Sequence, residues 1–186
     1  TGEINAVTID SSAPGAAIVK TIEGSNVVSG QSVLVPGGIV TVNADSSGIS
    51  FTPALNFSGS VDFLYSLKDG GTSYSGTVTQ DVTPVADVPT LGVTDAALGN
   101  EDTAIALDIT GALVDVDGSE TLTYTITGVP TDSTFNKGSL STNTWTGAVG
   151  DVAGLTITPP TNDDGDFTLS VTATATETAN SETATS

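Results

Sequence analysis

Acidic side chains are the chemistry this chain has to offer, and they come in groups. VDVDGSE carries Asp115, Asp117 and Glu120, GNED carries Glu101 and Asp102, and NDDGD carries Asp163, Asp164 and Asp166. Asp87 stands in a proline-bracketed stretch, PVADVP. Ca²⁺ takes six to eight hard oxygen ligands, and carboxylates at short spacing supply them. Against 22 acidic residues there are three basic ones, Lys20, Lys68 and Lys137, with no Arg and no His, for a formal net charge of -19. Carboxylates crowded together without cations repel one another by several kcal/mol per close pair in a medium of intermediate dielectric. The nine residues named are therefore candidate metal ligands, and Ca²⁺ is the expected ion. An EF-hand does not fit, because D-x-D-G begins at Asp115 but its twelfth position is Ile126 rather than Glu.

Each group also has a plainer reading. Asp and Asn populate turns because their side chains hydrogen-bond their own backbone. Asp117-Gly118 is an ordinary turn pair, and Asp102 suits a cap. One acidic turn alone reads as turn chemistry. Several of them on a chain almost devoid of Lys and Arg read as metal binding.

Other chemistries lack their residues. Without His or Cys the commonest bases and nucleophiles are missing. Paired carboxylates for glycoside hydrolysis are numerous enough, but such sites lie in aromatic-lined clefts, and the chain has one Trp, three Tyr and five Phe. No enzyme is expected. Trp145 is open to two readings, a core plug or an exposed platform that stacks on sugar. The negative charge repels phosphate backbones and anionic head groups, so neither nucleic acid nor direct membrane contact is expected. No apolar run approaches the roughly 20 residues of a spanning helix. Absence of Cys leaves the redox compartment unread.

These side chains need a scaffold, and the pattern around them is that of strands. High acid content can mean disorder, but 37% hydrophobic residues and a mean hydropathy of +0.16 argue for folded cores. Leu122, Tyr124 and Ile126 alternate with threonines. So do Phe167, Leu169, Val171, Ala173 and Ala175, whose partners run from Thr168 to Thr176. Ile105, Leu107 and Ile109 form a third row, and Val61, Phe63, Tyr65 and Leu67 a fourth. Period two with one polar face predicts antiparallel sheets, buried on one side and wet on the other. Turn signals fall between the rows, at 36–38, 46–48, 69–71, 117–118, 136–138 and 163–165. Short, evenly spaced strands predict β-sandwiches.

The chain also says nearly the same thing twice. ISFTPALNFSGSVDFLY (49–65) and LTITPPTNDDGDFTLSV (155–171) align without a gap at an offset of 106 residues. Thr52/Thr158, Pro53/Pro159, Asn56/Asn162 and Gly59/Gly165 are identical. A repeat of that length is a whole small domain rather than a solenoid coil. The boundary falls in TPVADVPTL (83–91), where Pro84 and Pro89 make a short, stiff linker. Two domains are expected, 1–86 and 87–186.

Three segments carry a family resemblance. Residues 37–70, GGIVTVNADSSGISFTPALNFSGSVDFLYSLKDG, followed by TPVADVP, resemble the cadherin-like tandem repeats of bacterial surface proteins. GNEDTAIALDI and LVDVDGSETLTYTITGVP, together with LTITPPTNDDGDFTLSVTATA, resemble the immunoglobulin-like extender repeats of giant RTX adhesins. The resemblance covers essentially all of the second domain, and the first from Gly37 onward. It implies a secreted bacterial cell-surface adhesin, acting in cell adhesion and biofilm, whose extender modules bind Ca²⁺ near their junctions. The Gly-rich nonapeptide repeats of the RTX tail are missing, so an internal, excised piece is expected.

Immunoglobulin-like topology then suggests positions. The group Asp115–Asp117–Glu120 falls between the second and third strands, facing the first domain and Asp87. Glu101 and Asp102 converge with Asp163, Asp164 and Asp166 at the other end. The first domain departs from this pattern, with Phe57, Ser58 and Ser60 where the second has Asp163, Asp164 and Asp166, and with Glu23 as a weak counterpart of Glu101. The expected fold is all-β, two tandem Ig-like (cadherin-like) antiparallel β-sandwiches. The expected role is a calcium-stiffened extender, monomeric, with neighbouring tandem domains of the same chain as partners and surface glycan or protein met through other modules. The rival reading is a glycan- or peptide-binding module gripping through loops around Trp145.

Overall fold

Alternating apolar and Thr/Ser residues become antiparallel strands throughout the computed structural model, which describes residues 18–94 and 99–186. The fold is all-β; among the described residues, helix is limited to one turn, α1 (Val149–Val152). The chain divides into two compact units, Thr1–Val85 and Ala86–Ser186.

In the first unit the strands are β1 (Ile18–Ile22), β2 (Ser25–Asn26), β3 (Ser32–Val35), β4 (Gly38–Val42), β5 (Ile49–Pro53), β6 (Gly59–Asp69) and β7 (Thr72–Val82). They form one sheet ordered β2-β1-β6-β7 and another ordered β3-β4-β5. The inward residues of both sheets share one core, with Ile22, Val61 and Phe63 from the first and Val40, Val42, Ile49 and Phe51 from the second. Phe51 and Phe63 stack across it with ring centroids 6.2 Å apart. Two antiparallel sheets closed over a shared core are the sandwich that the period-two pattern predicts.

The second unit contains β8 (Thr90–Val93), β9 (Ile105–Ala106), β10 (Ile109–Ala112), β11 (Glu120–Thr127), β12 (Thr134–Phe135), β13 (Ser139–Ser141), β14 (Thr144–Ala148), β15 (Thr156–Thr158), β16 (Ser170–Glu177) and β17 (Thr183–Thr185). A five-stranded sheet runs β13-β14-β11-β16-β17, beside a three-stranded sheet β12-β15-β9 and a pair β10-β8. Tyr124, Ile126, Trp145, Leu155, Ile157 and Ala173 fill the core between them.

Two of the alternating rows are cut short. Ile105, Leu107 and Ile109 do not form one strand, because β9 pairs with β15 while β10 pairs with β8. The chain changes sheet there, and the Leu107 amide bonds the Leu155 carbonyl on the way (2.9 Å). Phe167 and Leu169 pack half-buried on the core without joining a ladder, since β16 starts only at Ser170. The acidic, glycine-containing run before them has poor strand propensity.

The internal repeat has a local cause. Asn56 and Asn162 both lie in the left-handed region, at φ 59° and 58°. Matching turns precede them: the Phe57 amide bonds the Ala54 carbonyl (3.2 Å), and the Asp163 amide bonds the Pro160 carbonyl (3.1 Å). Asn tolerates that conformation better than most residues.

Candidate metal centre

Strand β11 buries every second residue, and the phase that buries Leu122, Tyr124 and Ile126 also buries Glu120. Strand β16 buries Ala173 and Ala175, and by the same phase Glu177. The two strands pair with Glu120 directly opposite Glu177. Glu120 is 6% exposed and Glu177 2%, and Asp115, in the loop before β11, is 5% exposed. Three carboxylates are thus buried at the edge of one core.

Their hydrogen bonds are incomplete. Glu120 Oε1 accepts the backbone amide of Asp87 at 2.8 Å. Glu177 Oε1 accepts the Ser119 hydroxyl at 3.4 Å, a long contact. Asp115 Oδ1 accepts the Asp117 amide at 2.9 Å. Among the described residues, Glu120 Oε2 and Glu177 Oε2 are buried with no partner at all. Burial pushes the Glu177 carboxyl above the usual range, and the charge on Glu120 pushes it further. The hydroxyl of Ser119 pulls the other way, and Asp115 and Asp117 add smaller rises. Asp117 behaves differently. It is exposed, and hydrogen bonds from Ser119, hydroxyl first and amide second, hold it below its ordinary value.

Cations are scarce in this unit. Fifteen of the 22 acidic residues but one of the three lysines, Lys137, lie in 86–186. The Lys137 ammonium is directed at the Ala153 carbonyl. The donor atoms are all hard oxygens, which suits Ca²⁺ rather than a metal that prefers nitrogen or sulfur. Among the described residues no three acidic side chains are already arranged to hold a metal ion. What the fold supplies is buried carboxylate oxygen without a hydrogen-bond donor.

Of the residues that sequence spacing nominates, Asp115, Asp117 and Glu120 stand together, and Asp87 joins them through its main chain, its amide held by Glu120 within the second unit. Glu177 is missing from the nominated set. The row Val171, Ala173, Ala175 points to it, for the next position in the buried phase is 177.

A second acidic group gathers elsewhere in this unit. Asp102 adopts φ 59° and its Oδ1 accepts the Asn162 amide at 3.0 Å, tying GNED to NDDGD. Glu101, Asp163, Asp164 and Asp166 line one cavity of about 440 Å³, together with Ile105, Ile157 and Phe167. Here the carboxylates are at or near the surface, and Asp163 caps its own turn through the Gly165 amide at 3.1 Å. Residues 56–60 of the first unit, aligned with NDDGD, include no acidic side chain, and Glu23, the counterpart of Glu101, is spent on the Leu64 amide at 2.6 Å.

Trp145 is fully buried, its indole N–H bonded to the Lys137 carbonyl at 2.6 Å and its ring 5.7 Å from that of Phe135. It is a core plug, so the exposed stacking platform does not exist. Among the described residues, no helix is long and apolar enough to cross a membrane.

Comparison with known proteins agrees with the architecture. No curated protein and no solved structure gives a match to the chain. Residues 2–83 match the family model described as a bacterial Ig domain, which spans nearly all of the first unit. The first unit is therefore similar in sequence to bacterial Ig domains, and its described strands form the two facing antiparallel sheets that such a match implies.

Proposed function

We propose that the chain is a calcium-stiffened extender segment of a bacterial cell-surface adhesin of the RTX type, holding a distal binding module away from the cell. The observation that carries this reading is the buried group Asp115, Glu120 and Glu177 in a unit with a single lysine. An ion bound there offsets repulsion that the fold otherwise tolerates at a cost. The match to bacterial Ig domains supports a module made for stringing in tandem on a secreted surface protein. The lack of His, Cys and Arg takes away the commonest bases, nucleophiles and oxyanion clamps, which favours a structural role over catalysis. The burial of Trp145 removes the feature on which a glycan-gripping module would rest.

The test is thermal unfolding of the chain in excess EDTA, in millimolar CaCl₂ and in millimolar MgCl₂. One folded-state site at free Ca²⁺ of 100 times its dissociation constant adds about 2.7 kcal/mol. That raises the melting temperature of a domain of this size by several degrees. Identical midpoints in EDTA and CaCl₂ would overturn the calcium reading.

A further inference from the structure

We propose that the outward face of the five-stranded sheet in the second unit is a self-association surface, on which a second copy of the chain packs face to face. This goes beyond the extender reading and needs no bound ion.

The face is a lattice of small hydroxyl side chains. Strand register sets Thr185, Thr174 and Thr123 in one row and Thr172, Thr125 and Thr146 in the next. All six are exposed or half-buried, and every other outward position on the five strands is Ser, Thr or Ala. The charged residues of these strands, Glu120 and Glu177, belong to the opposite, buried phase. Further acidic residues lie beyond the strands, Asp151 past β14 and Glu182 before β17. Threonine suits a wet strand, which accounts for its presence. It does not account for the missing charge. The four-stranded sheet of the first unit, built with the same alternation, carries Asp62, Lys68 and Asp81 at exposed outward positions.

On a chain of net charge -19, contacts between two copies bring carboxylates together almost anywhere on the surface. At this face a second copy approaches without that repulsion. Neighbouring strands lie about 4.8 Å apart and alternate residues about 6.7 Å apart, so the five strands make a patch roughly 20 Å on a side. Two such patches bury on the order of 1,000 Å² in all, the size of a weak, reversible contact. Threonine is short enough for two sheets to stack at the ~10 Å of a sandwich, methyl against methyl, with hydroxyls bonding across. A sugar finds no aromatic ring to stack on here, since Tyr124 and Trp145 of these strands are buried in the core. A cationic partner finds its counter-charges in the acidic loops rather than on this face. In dilute solution the chain is a monomer, and pairing emerges where copies are crowded side by side.

The experiment is sedimentation equilibrium of the full chain in EDTA, from micromolar to millimolar protein, in about 0.01 M and about 1 M NaCl, between which the screening length falls from about 30 Å to about 3 Å. The expected result is a monomer–dimer equilibrium that tightens with salt, because the face is neutral while its surroundings repel. Thr125→Glu and Thr172→Lys each put one charge into the middle of the lattice, and each weakens pairing at least tenfold. The lysine lowers the net negative charge, so its effect does not come from greater overall repulsion. Thr77→Glu, on the outward face of β7 in the first unit, is the control and pairs like the unsubstituted chain. Far-ultraviolet circular dichroism shows that each variant is folded, and the two test positions lie on different strands, so failure of one to fold leaves the other. A chain that stays monomeric at millimolar concentration in high salt, pairing that weakens as salt rises, or folded variants that pair as the unsubstituted chain does, each overturns the proposal.

Discussion

Glu120 and Glu177 are cross-strand partners on the buried face of β11 and β16, and each has a carboxylate oxygen with no donor among the described residues. Everywhere else on these strands this phase is filled by Leu, Tyr, Ile, Val or Ala. Substituting two apolar side chains there would be the more stable choice for an isolated sandwich, because buried charge is costly unless paired. The pair thus marks a place where the fold buries charge that apolar side chains would avoid. A cation at this ladder end would join two central strands and, through the Asp87 amide, the entry into the domain.

Glu177→Gln changes stability with opposite signs in two buffers. In EDTA the substitution removes a buried like charge from opposite Glu120 at nearly constant shape, so the melting temperature stays equal or rises. In saturating CaCl₂ it removes a ligand, so the variant melts several degrees below the unsubstituted chain. Differential scanning calorimetry in both buffers reads the crossing. A variant less stable by the same amount in both would mean that Glu177 is only a packing residue.

The second acidic group is a separate candidate. Glu101, Asp163, Asp164 and Asp166 line one cavity, and Asp102 ties the two loops together. Asp164→Asn with Asp166→Asn is expected to lower the calcium stoichiometry without loss of the fold, since both residues are exposed. An unchanged stoichiometry would reduce NDDGD to an acidic turn.

The sandwich architecture was legible because period-two burial is written in residue type. In β11 every Thr of the row faces outward or sits half-buried, and every apolar residue is buried. What escaped the reading has physical reasons. The Ile105–Ile109 row looks like one strand, but the chain switches sheets within it, and periodicity does not record which neighbour a strand pairs with. Phe167 and Leu169 alternate correctly and bury their rings and branches, yet the acidic run beside them forms no ladder. Glu177 continues the phase of Val171, Ala173 and Ala175, but an acidic residue next to TATAT reads as the polar end of a strand. Only the register across β16 shows that it faces Glu120. The Asp115 and Glu120 positions were readable from spacing, whereas their burial was not.

The repeated Asn has a backbone cause that substitution can isolate. Asn162 sits at φ 58°, a conformation that costs an ordinary L residue roughly 1–2 kcal/mol. Asn162→Ala is expected to destabilise the second unit by about 1 kcal/mol, and Asn162→Gly by less, because Gly enters that region freely. Urea midpoints of the two variants are the measurement. Equal losses in both would shift the cause from the backbone to the Asn side chain.

Trp145 offers both a reporter and a stringent packing test. It is the single Trp of the chain, so its fluorescence follows the second unit alone. Gly138, at φ 73°, lies against the indole, and a Cβ there would run into the ring around Nε1. The same turn supplies the Lys137 carbonyl that accepts the indole N–H. Gly138→Ala therefore combines two penalties, about 1–2 kcal/mol for a left-handed alanine and about 1–3 kcal/mol for overpacking the core. The urea midpoint followed by Trp emission should fall by a corresponding margin, and the shifted indole should become more accessible to acrylamide. Gly150→Ala is the control, because a Cβ at that position meets nothing within 4 Å. If Gly138→Ala unfolds no earlier than Gly150→Ala, the indole is not held in the closed slot described here, and its role as the core plug would have to be abandoned.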